Sequence, residues 1–220
     1  MKENLTEMVF ILDRSGSMGG LEADTIGGFN SMIERQKKEE GECLVSVVLF
    51  DHYIDVLYDR IPLADMPVMT EKEYFTRGST ALLDALGGAI HHIGNVHKYA
   101  REEDRPAKTV FVITTDGMEN SSIHYKARKV KEMVKHEQEK YGWEFLFLGA
   151  NIDAIEVANA YGLKKGRAVR YHNDKEGIGL NYSVLSETIA TFREKGFVEE
   201  NWEEKIRKDY VDRKKESENK

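Results

Sequence analysis

Four short, almost entirely apolar runs constrain the fold of this chain more than any other feature of its sequence. They are rich in Val, Ile, Leu and Phe and lie at residues 8–12, 44–50, 110–113 and 145–148. Such runs are typical of strands that are covered on both faces, as in parallel sheets flanked by helices. We therefore predict a central sheet whose core strands are parallel.

Segments with helical periodicity separate these runs. In the clearest one, apolar residues recur at helical steps and so share one face: Leu82, Leu86, Ala89, Ile90, Ile93 and Ala100. Similar patterns surround Phe29, Val130 and Ile189. The alternation of strands and helices predicts an α/β protein with right-handed crossovers and a doubly wound sheet.

One connection is too short for a helical crossover. Only Asp51, His52 and Tyr53 separate the second run from a strand-like segment at residues 54–58. We predict a hairpin that adds one antiparallel edge strand to the mostly parallel sheet. A weaker strand at residues 168–171 would complete the sheet before the last long helix.

The length of 220 residues predicts one domain with one substantial core. We assign residues 1–196 to this domain and residues 197–220 to a charged C-terminal helix or tail, because 15 of the last 22 residues are charged. An apolar residue nevertheless recurs every fourth position: Val198, Trp202, Ile206 and Tyr210. A docked helix and a loose tail both fit this pattern.

Charge and composition exclude several classes of partner. The chain has 32 basic and 39 acidic residues, a net charge of −7 and no basic stripe, which predicts no nucleic-acid partner. It has no apolar stretch near the ~20 residues that span a bilayer and no cleavable leader pattern, so we expect no membrane partner. The single cysteine, Cys43, predicts a cytoplasmic protein in which this thiol is a small core residue.

Oxygen-bearing side chains lie in three loops at the predicted carboxyl edge of the sheet. Asp13, Ser15 and Ser17 alternate along the loop after the first strand, Thr80 opens the long helix, and Asp116 follows the strand at residues 110–113. Doubly wound sheets bind ligands beyond the carboxyl ends of their strands. Each group has an ordinary explanation, such as a helix cap for Thr80, but their coincidence at one edge predicts a shared site.

The chemistry of this group predicts a hard divalent cation. Hydroxyl and carboxylate oxygens are the ligands preferred by Mg²⁺, with Mn²⁺ or Ca²⁺ as alternatives. Zinc would instead be expected with nitrogen or sulfur ligands.

The five residues together resemble the metal-ion-dependent adhesion site (MIDAS) of the von Willebrand factor A (VWA) family. The pattern is Asp-x-Ser-x-Ser followed by a threonine and an aspartate: Asp13, Ser15, Ser17, Thr80 and Asp116. The similarity in order and spacing extends from about residue 5 to residue 192 and includes the edge hairpin. Residues 12–19 resemble the first loop of small soluble bacterial members associated with tellurite resistance and stress responses.

This resemblance implies that Asp13, Ser15 and Ser17 hold the metal, with Thr80 joining directly or through water and Asp116 usually through water. Such a site leaves the cation electrophilic, because most of its ligands are neutral. The implied function is a divalent-metal-dependent protein-binding module, of the adhesion or scaffold type, that captures an Asp or Glu of a partner.

Two other functions remain open from the sequence. A metal-dependent hydrolase or phosphotransferase could use the same cation, with Asp116 as the base. No dedicated base or nucleophile is evident, so we predict that the protein is not an enzyme. In the third alternative, the metal only rigidifies the loops. The sequence does not predict the oligomeric state.

We also predict the roles of three residues next to the motif. We expect Arg14 to point outward, towards a partner or solvent. Glu119 and Asn120 follow the motif aspartate, and we expect them to cap a helix near Ser121 rather than to orient that aspartate.

Overall fold

A computed structural model describes residues 1–218 of the chain as one six-stranded sheet with helices on both faces. The strands are β1 (Lys2–Asp13), β2 (Glu42–Phe50), β3 (Ile54–Pro62), β4 (Pro106–Thr115), β5 (Glu144–Gly149) and β6 (Ala168–Arg170). Their order across the sheet is β3-β2-β1-β4-β5-β6. All neighbouring pairs are parallel except β2 and β3, which are antiparallel. The predicted fold class is confirmed.

Within residues 1–218, six α-helices cover the sheet. They are α1 (Glu22–Gln36), α2 (Leu82–Tyr99), α3 (Ala127–Tyr141), α4 (Ala154–Ala160), α5 (Lys175–Lys195) and α6 (Glu204–Glu218). Apolar residues of α1, α5 and α6 share one core cluster, whereas those of α2, α3 and α4 share another. The sheet therefore separates two cores, as a doubly wound arrangement requires.

The central strand β1 contributes to both cores. Met8, Phe10 and Leu12 belong to the first cluster, while Val9 and Ile11 belong to the second, and all five are fully buried. Successive side chains of a strand point to opposite faces, so an uninterrupted apolar run is the pattern that a two-sided sheet needs. This burial fixes where β1 ends, and thus where the loop after Asp13 begins.

The edge hairpin forms as predicted. β2 and β3 pair antiparallel with Phe50 opposite Ile54, and Asp51, His52 and Tyr53 make the turn between them. The Tyr53 N–H donates to Asp51 Oδ1 over 2.7 Å, which closes the turn beside the carboxyl end of β1.

The C-terminal segment contains a helix that packs on the body. Val198, Trp202 and Ile206 are buried in the first core, and the Trp202 indole N–H donates to the carbonyl of Gly166 over 2.8 Å. Tyr210 stacks on His172 with ring centroids 4.7 Å apart. Of the two alternatives left by the sequence, the structure has the docked helix as far as residue 218; residues 219–220 lie outside the described part.

Two further expectations are tested by the fold. Cys43 is buried in the first core, as predicted, and burial raises the pKa of its thiol to about 12. No helix forms near Ser121, because the chain from residue 117 to residue 126 is a loop and α3 begins at Ala127. Within residues 1–218, none of the helices has the length and apolar character needed to cross a membrane.

Candidate metal centre

The candidate centre lies at the carboxyl ends of β1 and β4. Asp13 is the last residue of β1, and Asp116 directly follows Thr115, the last residue of β4. Because the two strands are parallel neighbours, their ends meet at one edge of the sheet. A short 3-10 turn at Gly16–Met18 and a hydrogen bond from the Gly16 N–H to the carbonyl of Gly78, 3.1 Å long, fold the first loop over this edge.

Asp13 is buried and fixed on every side, with only 1% of its surface exposed. Its Oδ1 accepts the Ser15 N–H over 2.7 Å, and its Oδ2 accepts the Thr115 hydroxyl over 2.5 Å. The Tyr74 hydroxyl donates to the main-chain oxygen of Asp13 over 2.5 Å. Burial raises the pKa of Asp13, and the hydrogen bonds from Ser15 and Thr115 offset part of that shift.

A chain of hydroxyls connects the first loop to Asp116. Ser15 Oγ and Ser17 Oγ are 3.1 Å apart, and Ser17 Oγ donates to Asp116 Oδ1 over 2.5 Å. The other carboxylate oxygen of Asp116 accepts from Asn173 Nδ2 over 2.7 Å. Burial raises the pKa of Asp116, while the bonds from Ser17 and Asn173 lower it in part.

Thr80 reaches the same place from the start of α2. Its N–H donates to Asn120 Oδ1 over 2.9 Å, and its carbonyl accepts the Asn120 N–H over 3.0 Å. A methyl group at Gly117 would lie 3.1 Å from Thr80 Oγ1 and 3.5 Å from Ser17 Oγ. Both hydroxyls therefore face one small space beside Gly117, which a larger residue would fill.

The donor set fits a hard divalent cation. A hydroxyl that donates its proton keeps its lone pairs, so Ser17 can donate to Asp116 and still bind a cation. Each oxygen of an ionised carboxylate such as Asp13 can likewise accept a second interaction. Within residues 1–218 there is no cluster of three or more His, Cys, Asp or Glu able to hold a metal. The set is thus one of mostly neutral oxygens with two carboxylates.

The outward orientation expected for Arg14 is wrong. The side chain is 1% exposed; its Nε donates to Asp51 Oδ2 over 2.9 Å, and its Nη1 lies 3.3 Å from Asp55 Oδ2. The Arg14 N–H donates to the carbonyl of Phe50 over 2.8 Å, which holds this residue beside the end of β2, where Asp51 supplies a buried counter-charge. Burial alone raises the pKa of Asp51, but hydrogen bonds from Arg77, the Tyr53 N–H and Arg14 outweigh it, and that pKa is lowered.

The roles expected for Glu119 and Asn120 are also different. Glu119 Oε2 accepts the Leu83 N–H over 2.8 Å, so it caps the start of α2 from a distant loop. Asn120 holds the backbone of Thr80, and no side chain caps α2 from Thr80 or Ala81. Asn120 therefore positions the threonine of the site, and Glu119 ties the same loop to the first turn of α2.

Sequence reasoning missed three residues that support the centre: Thr115, Tyr74 and Asn173. Thr115 adjoins Asp116 and ends an apolar strand, so its position was a usable signal. Tyr74 and Asn173 lie 61 and 57 positions from the aspartates that they contact. No local pattern marks such residues.

No family model matches the sequence, and no curated protein matches it. Solved structures do match the fold. The ArnB paralog VWA2 from Sulfolobus acidocaldarius has a TM-score of 0.53 and 18% identity, over 86% of this chain and 45% of that one. Proximal thread matrix protein 1 from the mussel byssus has a TM-score of 0.59 and 15% identity, over 84% of this chain and 46% of that one. The manganese-loaded TRAP protein of Plasmodium vivax has a TM-score of 0.53 and 16% identity, over 82% of this chain and 73% of that one.

These likenesses establish that the chain has the von Willebrand factor A fold. The chain spans less than half the length of the Sulfolobus and mussel proteins. One structure of the mussel protein, 14% identical with a TM-score of 0.57, has a zinc-occupied MIDAS motif. Divalent metals are therefore found in two of the proteins that share the fold.

Proposed function

We propose that this chain is a divalent-metal-dependent protein-binding module that captures an Asp or Glu carboxylate of a partner. The cation would be held by the five predicted residues: Asp13, Ser15, Ser17, Thr80 and Asp116. The observation that supports this most is the continuous path of hydrogen-bonded oxygens from Ser15 through Ser17 to Asp116, at the edge where the fold places ligands.

The charge balance of the site favours an anionic ligand. With Asp13 bound directly and Asp116 bound through water, one carboxylate and neutral hydroxyls would contact the cation, so it would keep a net positive charge at its open position. When bound, the cation supplies an electrophilic position for an anionic oxygen. Residues of this chain hold the ligands in place: Tyr74 and Thr115 fix Asp13, and Asn173 fixes Asp116.

The preferred cation is proposed as Mg²⁺, with Mn²⁺ or Ca²⁺ as alternatives, from the hard oxygen ligands. The zinc-occupied motif of the mussel protein adds Zn²⁺ to the cations to be compared, despite its preference for nitrogen and sulfur. A titration series with these four ions ranks them.

A binding module fits the site better than a hydrolase or phosphotransferase. A general base needs a free oxygen near the proton that it removes. Asp13 and Asp116, the two acids of the site, are both assigned to the cation in this proposal and are fixed by Thr115 and by Ser17 and Asn173, so neither is left as a dedicated base. A cytoplasmic location and the lack of nucleic-acid or membrane partners stay predictions from composition.

The test is a pull-down from source lysate with the full chain as bait, in Mg²⁺ and in chelator. We expect a partner that is captured by the wild type in Mg²⁺, released by chelator and not captured by Asp13→Ala. The exposed Asp65→Asn variant has a matched charge change outside the site and should capture the same partner.

The captured partner then tests the carboxylate directly. Replacing its contacting Asp or Glu by the amide should abolish binding in Mg²⁺. Capture that persists equally in chelator and in Asp13→Ala, or a partner that binds without any carboxylate, would overturn the proposal.

A further inference from the structure

A cavity of about 490 Å³ lies between α2 and α3, far from the metal centre. Its wall includes His97 and Lys98 in the last turn of α2, which is about 27 Å from Thr80 at 1.5 Å per residue. Arg105 and Trp143, which directly precede β4 and β5, also line it. The cavity thus lies at the opposite edge of the sheet, and its size is within the roughly 300–1,000 Å³ typical of small-molecule sites.

The charge of this cavity is opposite to that of the protein. Lys98, Arg105 and Lys129 line it, whereas Glu137 is the one acid among its described lining residues, in a chain with a net charge of −7. Arg105 Nη2 donates to the carbonyl of Ala100 over 3.2 Å, but its Nε is buried without a hydrogen-bond partner. An unsatisfied buried guanidinium N–H favours an anionic oxygen as ligand.

Aromatic rings form part of the wall. Tyr125 packs closely against Gly87, and Trp143 stacks on Phe111 with centroids 5.3 Å apart, so these two rings are already occupied by the protein. Tyr141 lies at the rim and is 46% exposed. Its ring makes a T-shaped contact with His136, with centroids 5.8 Å apart, and Lys140 Nζ lies 5.1 Å from its centroid. The part of the ring that stays exposed can stack on a flat ligand, an arrangement typical of nucleotide-base recognition.

Glu137 gives the cavity an acceptor beside these rings. Its Oε1 lies 3.7 Å from the position that a Cβ on Gly94 would occupy, so the absence of a side chain there leaves the carboxylate open to the cavity. Burial raises the pKa of Glu137, and the nearby His136, His97 and Lys140 lower it in part. A carboxylate in this position can accept the N–H donors of a heteroaromatic ring.

We propose that this cavity binds a heteroaromatic anion of the nucleotide class. The phosphate would contact Lys98 and Arg105, which lie at the same end of the cavity, the base would stack on Tyr141, and Glu137 would accept its N–H groups. The site requires no metal and is independent of the proposed protein-binding function.

The test is calorimetric titration of the full chain, in chelator, with AMP, GMP, the two matching nucleosides and inorganic phosphate. We expect at least one nucleotide to bind about tenfold more tightly than both its nucleoside and phosphate. Equal affinity for a nucleotide and for phosphate alone, or no binding of either nucleotide, would overturn the proposal.

Variants separate the contacts. Lys98→Ala should weaken nucleotide and phosphate binding about fivefold or more, whereas Tyr141→Ala should weaken the nucleotide only. Lys135→Ala, an exposed lysine of α3 outside the cavity, is the matched control and should change nothing. If Lys135→Ala weakens binding as much as Lys98→Ala, the effect is one of general charge and the site is refuted. Asp116→Asn should leave nucleotide binding intact, which separates this proposal from the metal site.

Discussion

Replacing Asp116 by asparagine should change stability in opposite senses with and without a divalent cation. In chelator, the wild type holds Asp13 and Asp116 buried near one another, and burial raises the pKa of both. A carboxyl with a raised folded-state pKa lowers stability as the pH rises above its unfolded pKa, because the unfolded chain ionises first. The neutral amide of Asp116→Asn removes this cost at pH 7.

The hydrogen bonds around the substitution can be largely kept. An amide at position 116 can accept from Ser17, and its NH₂ group can donate to Asn173 Oδ1, which is buried without a partner, if that amide turns over. We therefore expect the free energy of unfolding of Asp116→Asn in chelator to equal or exceed that of the wild type, within about 1 kcal/mol.

A saturating cation should reverse the order. At a cation concentration of about 100 Kd the wild type gains about 2.7 kcal/mol, because the ion binds only the folded state. For a chain of this size, that gain corresponds to a rise in Tm of roughly 5–11 °C. Asp116→Asn has lost one of two charged ligands and should gain less than about 1 kcal/mol.

Thermal and urea unfolding in chelator and in Mg²⁺ measure both effects, with Asp65→Asn as the charge-matched control. The reasoning fails if the wild type has the same Tm in both buffers. It also fails if Asp116→Asn loses more than about 2 kcal/mol in chelator and still responds to Mg²⁺ like the wild type.

Three other perturbations follow from the contacts. Asp51→Asn removes the buried counter-charge of Arg14 and leaves only the exposed Asp55 beside it, so it should cost about 3 kcal/mol in urea unfolding. Because the folded-state pKa of Asp51 is lowered, Asp51 stabilises the fold above its unfolded pKa, and this stabilisation is lost as the pH falls. The free energy of unfolding of the variant should therefore fall less steeply at acid pH than that of the wild type. An equally steep fall would contradict this. Gly117→Ala intrudes on Thr80 Oγ1 and should weaken cation binding about tenfold by calorimetry, whereas an unchanged Kd would remove this space from the site. Trp202→Ala should cost about 3–5 kcal/mol in urea unfolding; a loss below 1 kcal/mol would mean that α6 contributes little to the fold.

The pattern of apolar residues along the sequence was enough to predict the strands and the sheet. A strand such as β1, buried on both faces, has a run of apolar residues that no other arrangement explains as simply, and the three-residue turn after Phe50 excludes a crossover. The state of the C-terminal segment was not predictable, since an apolar stripe shows only that a helix could dock. Whether it does depends on complementary surface, here next to Gly166 and His172.

The site was predictable where its residues are neighbours in sequence, as in the loop from Asp13 to Ser17. Errors arose where long-range contacts decide the outcome. Arg14 turns inward because Asp51 lies at the end of another strand, and Glu119 caps α2 across a gap of 36 positions. The pairing of charges between loops is set by the packed sheet, so local sequence does not determine it.

The docked last helix has a practical consequence for shortened versions of the protein. A truncation at residue 196 would remove Val198, Trp202 and Ile206 from the first core and uncover the apolar surface that they now shield. It would also remove Tyr210 from His172, the residue that precedes Asn173 and its bond to Asp116. Such a fragment would expose an aggregation-prone apolar surface. The hydrogen bond from Asn173 to Asp116 would also be less well held, although the motif itself would be unchanged.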